Sequence, residues 1–324
     1  MKRISEYSSI VEEAVRALVF PTGNLDSLYA PVKYGLEAGG KRLRPVMLLM
    51  GAEAFGGPGA IAGSIDAAVG YETFHNFTLL HDDVMDHSDM RRGRPSVPAR
   101  WDENTAIISG DTMLTLATEK VAMVPDSLLR KVLDTFNRMA IEVYEGQRLD
   151  MDFETREEIS PEEYIEMISK KTGALMAAAV KTGALIGGAS DEDAELMYRF
   201  GSMLGIAFQM EDDWLDTFGD TATFGKPIGG DIRNRKKTYL VVSALREGGQ
   251  DADAFRAAFA LENPDLRVKT VTRVMEHMGL PAKVRADISA CTSKAMAALK
   301  ATSLGEEQKE AFRKLVEKLA SRKK

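Results

Sequence analysis

An all-α fold is what this sequence predicts, and three observations predict it. Apolar residues recur at three- and four-residue intervals along most of the 324 residues, the spacing of a helix face. No convincing run of alternating apolar and polar residues interrupts them. Met, Ala and Leu outweigh the β-branched residues in most apolar stretches, which favours helix. Glycine and proline punctuation falls at Pro21–Asn24, Gly39–Gly40, Gly56–Gly59, Arg92–Pro98, Pro125, Ser160–Pro161, Gly187–Ser190, Gly219–Asp231, Gly248–Asp251, Asn263–Pro264 and Gly279–Pro281. The intervals suit roughly ten or more helices of ordinary length.

The elements follow in order. "MKRISEYSSIVEEAVRALVF" carries Glu6, Glu12 and Glu13 where a signal peptide would need an apolar run, so it reads as an amphipathic helix. "GGKRLRP" at 39–45 follows the break at Gly39–Gly40 with a group of cations, and "FHNFTLL" carries a helix into a first acidic cluster followed by the turn of "RRGRP". "SPEEY" supplies Ser160 as N-cap, Pro161 at the first helical position and Glu163 three residues after the cap. A helix over Pro161–Ile186 follows. Its "TGALMAAAVKTGALIGG" is small enough for a neighbouring helix or an apolar ligand to approach closely. "LGIAF" then leads into a second acidic cluster, and beyond about residue 245 packing helices run to a Lys-rich, solvated end. With no linker or biased segment, residues 1–324 read as one domain.

Composition sets outer limits. Apolar residues make 44% and charged residues 28%, as in an ordinary soluble protein. A formal net charge of −7 argues against a broad nucleic-acid surface, which needs a basic excess. Any phosphate ligand must meet a local cluster of cations. The single cysteine, Cys291, cannot form an intrachain disulfide, and no stretch approaches the roughly 20 apolar residues of a membrane span. The expectation is a cytoplasmic protein without nucleic-acid partners or stable membrane insertion.

Asp82, Asp83 and Asp86 are spaced D-D-x-x-D, and Asp212, Asp213 and Asp216 repeat that spacing. On a helix, i and i+4 share a face, so the outer members project together with the middle one at their flank. One such run is commonly a solvated helix face; two with identical spacing, each after an apolar approach, point to a site. All-oxygen clusters suit Mg²⁺ or Mn²⁺ better than zinc. Mg²⁺ takes one or two carboxylates and completes its shell with water and phosphate oxygens, so two acidic walls predict a diphosphate ligand. Around them stand "GGKRLRP", "RRGRP", "SKKTG" and "FGKPIGGDIRNRKKT", glycine- and proline-flanked cations of the kind that clamp phosphate.

The ordered set "GGKRLRP", "HNFTLLHDDVMDHSDMRRGRP", "GQRLDMDF", "KKTGAL", "FQMEDDWLDTFGD" and "FGKPIGGDI…KKT" resembles the trans-isoprenyl diphosphate synthases, the farnesyl and geranylgeranyl diphosphate synthase family, from about residue 39 to 240. The resemblance implies a dimeric helical bundle around a large central cavity, joining isopentenyl diphosphate head-to-tail to an allylic diphosphate. It implies Mg²⁺, three ions per site with the allylic diphosphate bound and Mn²⁺ able to substitute, on Asp82, Asp83, Asp86 and Asp212, with Asp213 and Asp216 supporting. Arg91, Lys171 and Lys226 match the further clamps on that leaving group. Lys41, Arg44, His75 and Arg92 match the clamp on isopentenyl diphosphate; "RNRKKT" is more basic than the match requires, and its Lys236 and Lys237 are expected to close over the site. Gln209 and the carbonyl of Thr172 match positions facing the allylic cation. Phe77 and Phe74, five and eight residues before Asp82, match the floor of the prenyl pocket.

A bulky residue at the fifth position implies a short product, farnesyl or geranylgeranyl diphosphate. If small residues on neighbouring helices let the chain slip past Phe77, the product is longer. A terpene cyclase or head-to-head synthase would share the acidic helices but not the second, metal-free clamp. A non-catalytic regulatory subunit would show degraded acidic motifs, and both are complete here. Glu211 is expected on the far side of its helix, and Asp89 has no assigned role.

Overall fold

The structure, a computed structural model, describes residues 1–219 and 228–320. Among these the helices are α1 (Ile4–Arg16), α2 (Asp26–Glu37), α3 (Leu43–Gly56), α4 (Ile65–Met85), α5 (Val97–Arg100), α6 (Glu103–Val121), α7 (Asp126–Thr155), α8 (Pro161–Ile168), α9 (Ala174–Ile186), α10 (Asp191–Phe218), α11 (Gly230–Arg233), α12 (Tyr239–Arg246), α13 (Gly249–Phe259), α14 (Pro264–His277), α15 (Leu280–Ala301) and α16 (Glu306–Ala320). The all-α expectation holds. Sheet among the described residues is confined to β1 (Met90–Arg91) paired antiparallel with β2 (Arg94–Pro95). The two residues between these strands, Arg92 and Gly93, both have positive φ, 52° and 75°, as a tight type I′ hairpin requires.

The chain resolves into two compact units, one of Met1–Arg138, Ala178–Tyr198 and Ser303–Gln308, the other of Met139–Ala177, Arg199–Thr302 and Lys309–Lys324. The first acidic cluster lies in the first unit and the second in the other.

In the first unit α3 is buried on every side over its middle, where Val46 to Met50 are each at most 1% exposed, as a helix surrounded by others must be. Its neighbour α9 approaches through glycine: a Cβ on Gly183 would stand 2.8 Å from the Leu48 carbonyl carbon. The small-residue run thus serves helix packing at this point. Arg42, just before α3, is buried with φ of 45° and is tied to Glu12 Oε1 (2.8 Å), Glu72 Oε1 (2.6 Å) and the Leu36 carbonyl (2.7 Å). One guanidinium therefore joins α1, α2 and α4 at the foot of α3.

In the second unit the core gathers Tyr164, Met167 and Ile168 of α8, Ile206 and Met210 of α10, Tyr239 to Val242 of α12, and Phe255, Val271 and Met275 beyond. The capping box at Ser160 is formed as the sequence predicts: Glu163 N donates to Ser160 Oγ at 3.1 Å and Ser160 N to Glu163 Oε2 at 2.9 Å. The expected uninterrupted helix over Pro161–Ile186 needs one correction, because Ser169–Gly173 winds as a π-helical turn between α8 and α9. Against this widened turn lies Gly146 of α7, where a Cβ would meet Lys171 Cα at 2.8 Å. Such single π turns recur at functional positions, and this one carries "SKKTG".

Candidate active site

In the first unit α4 ends at Met85, and its three aspartates differ in environment. Asp82 is partly exposed and Asp86, the residue after the helix, is exposed, whereas Asp83 is 2% exposed. Arg91 of β1 reaches back to Asp83 Oδ1 with Nε at 2.9 Å and Nη2 at 2.5 Å. Burial pushes the Asp83 carboxyl up from its ordinary range, and the Arg91 contact opposes that shift. The cation that compensates the acid cluster is thus supplied by the hairpin just after it. Asp89 acts through its backbone, whose carbonyl receives Ser96 N at 2.9 Å and closes the hairpin.

Three motifs separated in sequence meet beside it. Arg44 of α3 approaches His75 Nε2 of α4 at 3.2 Å. Arg92, from the hairpin turn, donates to the Gly39 carbonyl, and its guanidinium lies over Gly40, where a Cβ would stand 2.9 Å from Cζ. Burial holds the basicity of His75 well below the ordinary value, and the positive charges of Arg44, Arg92, Arg91 and Arg42 add to the effect. His75 is therefore a neutral acceptor for Arg44 among four guanidinium groups. Lys41 is exposed just before α3. Phe77 and Phe74 are buried in edge contact at 5.4 Å between centroids.

In the second unit Asp212 of α10 is partly exposed, and its neighbours are engaged by protein donors. Asp213, 3% exposed, accepts from Tyr164 Oη (2.6 Å) and Tyr239 N (3.3 Å) on Oδ2 and from Gln209 Nε2 (3.1 Å) on Oδ1. Burial raises its pKa, and those donors together with Lys236 pull against it. Asp216 accepts Asp231 N at 3.0 Å. Gln209 also receives Thr172 Oγ1 at 3.1 Å, so its amide is oriented at both ends. Lys171, on the π turn, contacts Asp150 Oδ2 at 2.6 Å. Burial would raise Asp150, yet the charges of Lys171 and Lys236 outweigh it and the net shift is downward. Lys236 is exposed, Lys237 donates to the Phe153 carbonyl at 2.9 Å, and Lys226 lies outside the described residues. Glu211 turns from Asp212 toward α15, where it meets Arg285, as its expected far-side position requires.

Two residues escaped the sequence reading. Asp150 lies within the quoted "GQRLDMDF" but carries no lysine-binding signature, since its partner is 21 residues away. Arg42 reads as one more cation in "GGKRLRP", and only its burial separates it from Lys41 and Arg44. A groove of about 580 Å³ along 156–163 holds none of the predicted residues, and its Arg156, Arg246 and Arg256 each pair with a carboxylate.

The donor chemistry fits a divalent cation shared with a ligand. Among the described residues no three His, Cys, Asp or Glu side chains are gathered closely enough to hold a metal alone. Mg²⁺ does not need such a cage when phosphate oxygens complete its shell. An acidic helix end in each unit, an arginine–histidine cluster in the first and lysines on a π turn in the second, all on an all-α scaffold, suit a ligand rich in phosphate oxygens.

Known proteins agree. The polyprenyl synthetase family model matches residues 25–278. A geranylgeranyl diphosphate synthase of Methanosarcina mazei is 43% identical over 272 residues, 83% of each chain. A crystal structure of a geranylgeranyl pyrophosphate synthase superposes with a TM-score of 0.94 at 39% identity over 100% of both chains. A geranylgeranyl pyrophosphate synthase from Corynebacterium glutamicum, solved with isoprenyl diphosphate and magnesium, superposes with a TM-score of 0.82 at 27% identity over 98% of this chain and 97% of its own. The chain belongs to the polyprenyl synthetase family and is an enzyme, a short-chain trans-prenyltransferase.

Proposed function

We propose that the enzyme condenses isopentenyl diphosphate with an allylic diphosphate to give geranylgeranyl diphosphate, using residues 1–324 as one catalytic domain. The observation that carries this reading is the junction of Arg44, His75 and Arg92 from three separate motifs. Arg44 meets a neutral imidazole and Arg92 a backbone carbonyl, a gathering of cations that suits a diphosphate which must stay intact. The names of the relatives and the bulky Phe77–Phe74 pair support the product length.

Asp82, Asp86 and Asp212 would hold Mg²⁺, with Asp83, Asp213 and Asp216 supporting from positions already engaged by protein donors. When bound, the metal neutralises charge developing on the departing diphosphate. Arg91, Lys171 and Lys226 add direct contacts to that group, and Lys236 closes over it. Arg91 and Lys171 are held ready by Asp83 and Asp150, so little reorganisation accompanies ionisation. Gln209 and the Thr172 carbonyl face the allylic cation; the hydrogen bonds from Thr172 and to Asp213 fix the amide, which offers a dipole and no nucleophile. Lys41, Arg44, His75 and Arg92 hold isopentenyl diphosphate so that its π-bond meets the cation. The released diphosphate takes the proton lost as the new alkene forms.

The protein works as a cytoplasmic homodimer. α1 packs Tyr7, Val11 and Val15 into the first unit, and α6 leaves Ile107 and Ile108 43% and 55% exposed, an apolar patch suited to a second copy. Among the described residues no helix is long and apolar enough to cross a membrane.

The test is incubation with Mg²⁺, isopentenyl diphosphate and, separately, dimethylallyl, geranyl or farnesyl diphosphate, followed by sizing of the prenyl products. A dominant twenty-carbon product from all three supports the reading; no elongation from any would end it.

A further inference from the structure

The reaction as derived leaves His81 unused, although it immediately precedes Asp82. Its ring lies four residues after Phe77 on α4 and meets the Phe77 ring edge-on, with centroids 4.7 Å apart and planes at 67°. Nε2 stands 3.1 Å from the Ile107 carbonyl of α6, and since a carbonyl only accepts, that nitrogen carries the proton. The imidazole has room there because residue 110 is glycine: a Cβ on Gly110 would stand 2.5 Å from His81 Cδ2, too close for the ring to keep its place.

The contact is one end of a continuous row of rings. Phe77 meets Phe74 at 5.4 Å, Phe74 meets Phe136 at 5.3 Å, and Phe136 meets Tyr71 at 5.5 Å. The far end is pinned by the Tyr71 hydroxyl, 2.8 Å from Thr182 Oγ1 on α9. The near end is pinned by His81, through its bond to α6. Edge-on aromatic pairs prefer defined orientations, so the position of the imidazole is transmitted to Phe77.

We propose that His81, seated on Gly110, is a positioning residue that fixes the Phe77 ring and so limits the length of the prenyl chain. The proposal rests on the reading of Phe77 as the floor of the pocket. It gives residue 110, on a different helix from the floor, a specificity role through the size of one side chain.

The test is a product-length cycle on the full-length enzyme with Mg²⁺, isopentenyl diphosphate and farnesyl diphosphate, reading the ratio of longer products to the main product. That ratio does not depend on how much enzyme is folded or how fast it turns over. Thermal melts accompany each variant. H81A is expected to raise the ratio by about threefold to tenfold, the factor an aromatic edge contact supplies. G110A is expected to move the ratio as well, and to do nothing further in the H81A background. F77A serves as the reference for the floor itself. If F77A lengthens the product while H81A and G110A leave the ratio unchanged, or if their effects simply multiply, the proposal is overturned and the floor stands. If F77A changes nothing, the floor reading fails and the proposal falls with it.

Discussion

At the scale of single residues, neighbouring acids and cations that look alike in sequence take opposite parts. Asp83 and Asp213 are spent on Arg91 and on Tyr164 with Gln209, whereas Asp82, Asp86 and Asp212 keep some exposure. Asp82→Ala is expected to lower kcat by about a thousandfold, the scale on which removing transition-state charge stabilisation acts; an unchanged far-ultraviolet circular dichroism spectrum with near wild-type turnover would refute the assignment. Arg42→Met leaves Glu72, whose side chain is 2% exposed, without its charge partner and with the Asn76 amide as a neutral donor, and is expected to destabilise by about 3 kcal/mol in urea titration without a selective change in either KM. His75 gives a pH signature. Its folded pKa lies well below the ordinary 6.5, so below that value the unfolded chain binds the extra proton. The stability contributed by neutral His75 is complete above about pH 6.5 and is lost as pH falls toward the native value. Between pH 7.5 and 5.5 the wild-type urea midpoint should fall further than that of His75→Gln, and parallel curves would refute the shift.

At the scale of elements, many helix boundaries were legible because glycine, proline and capping residues act locally: Ser160 and Asn263 each cap the helix they precede, although Asp102, which caps α6, was not singled out. The spacing of the two acidic clusters was legible for the same reason, since helical periodicity alone places Asp82 near Asp86. The π turn was not, because the room for it comes from Gly146 on α7, and nothing within "SKKTG" announces a contact with another helix. The hairpin was read only as a turn, although Arg92–Gly93 is its two-residue loop. Asp150→Asn tests what the π turn holds. Lys171 would lose its charged partner, and KM for the allylic substrate should rise about tenfold while KM for isopentenyl diphosphate stays within about twofold. Equal changes in both constants would assign Asp150 to general stability.

At the scale of the whole molecule, an acidic chain with a net charge of −7 can bind the diphosphates of the proposed reaction only where cations gather locally and a metal offsets like charges. Neither acidic cluster is a cage, and among the described residues none is formed from protein side chains alone. Metal and diphosphate should therefore bind cooperatively, each raising the affinity for the other by the same factor. Mg²⁺ alone, with no phosphate oxygens to complete its shell, should barely raise the melting temperature, and inorganic pyrophosphate alone should add only the smaller shift that the metal-free clamp of Arg44, His75 and Arg92 supplies. Together, at about a hundredfold over the dissociation constant, they should add about 2.7 kcal/mol, enough for a shift of several degrees in a scanning calorimeter. Asp82→Ala should lose most of the joint shift while keeping the melting temperature of the ligand-free enzyme. A full shift from Mg²⁺ alone would mean that the carboxylates form a complete site without the substrate.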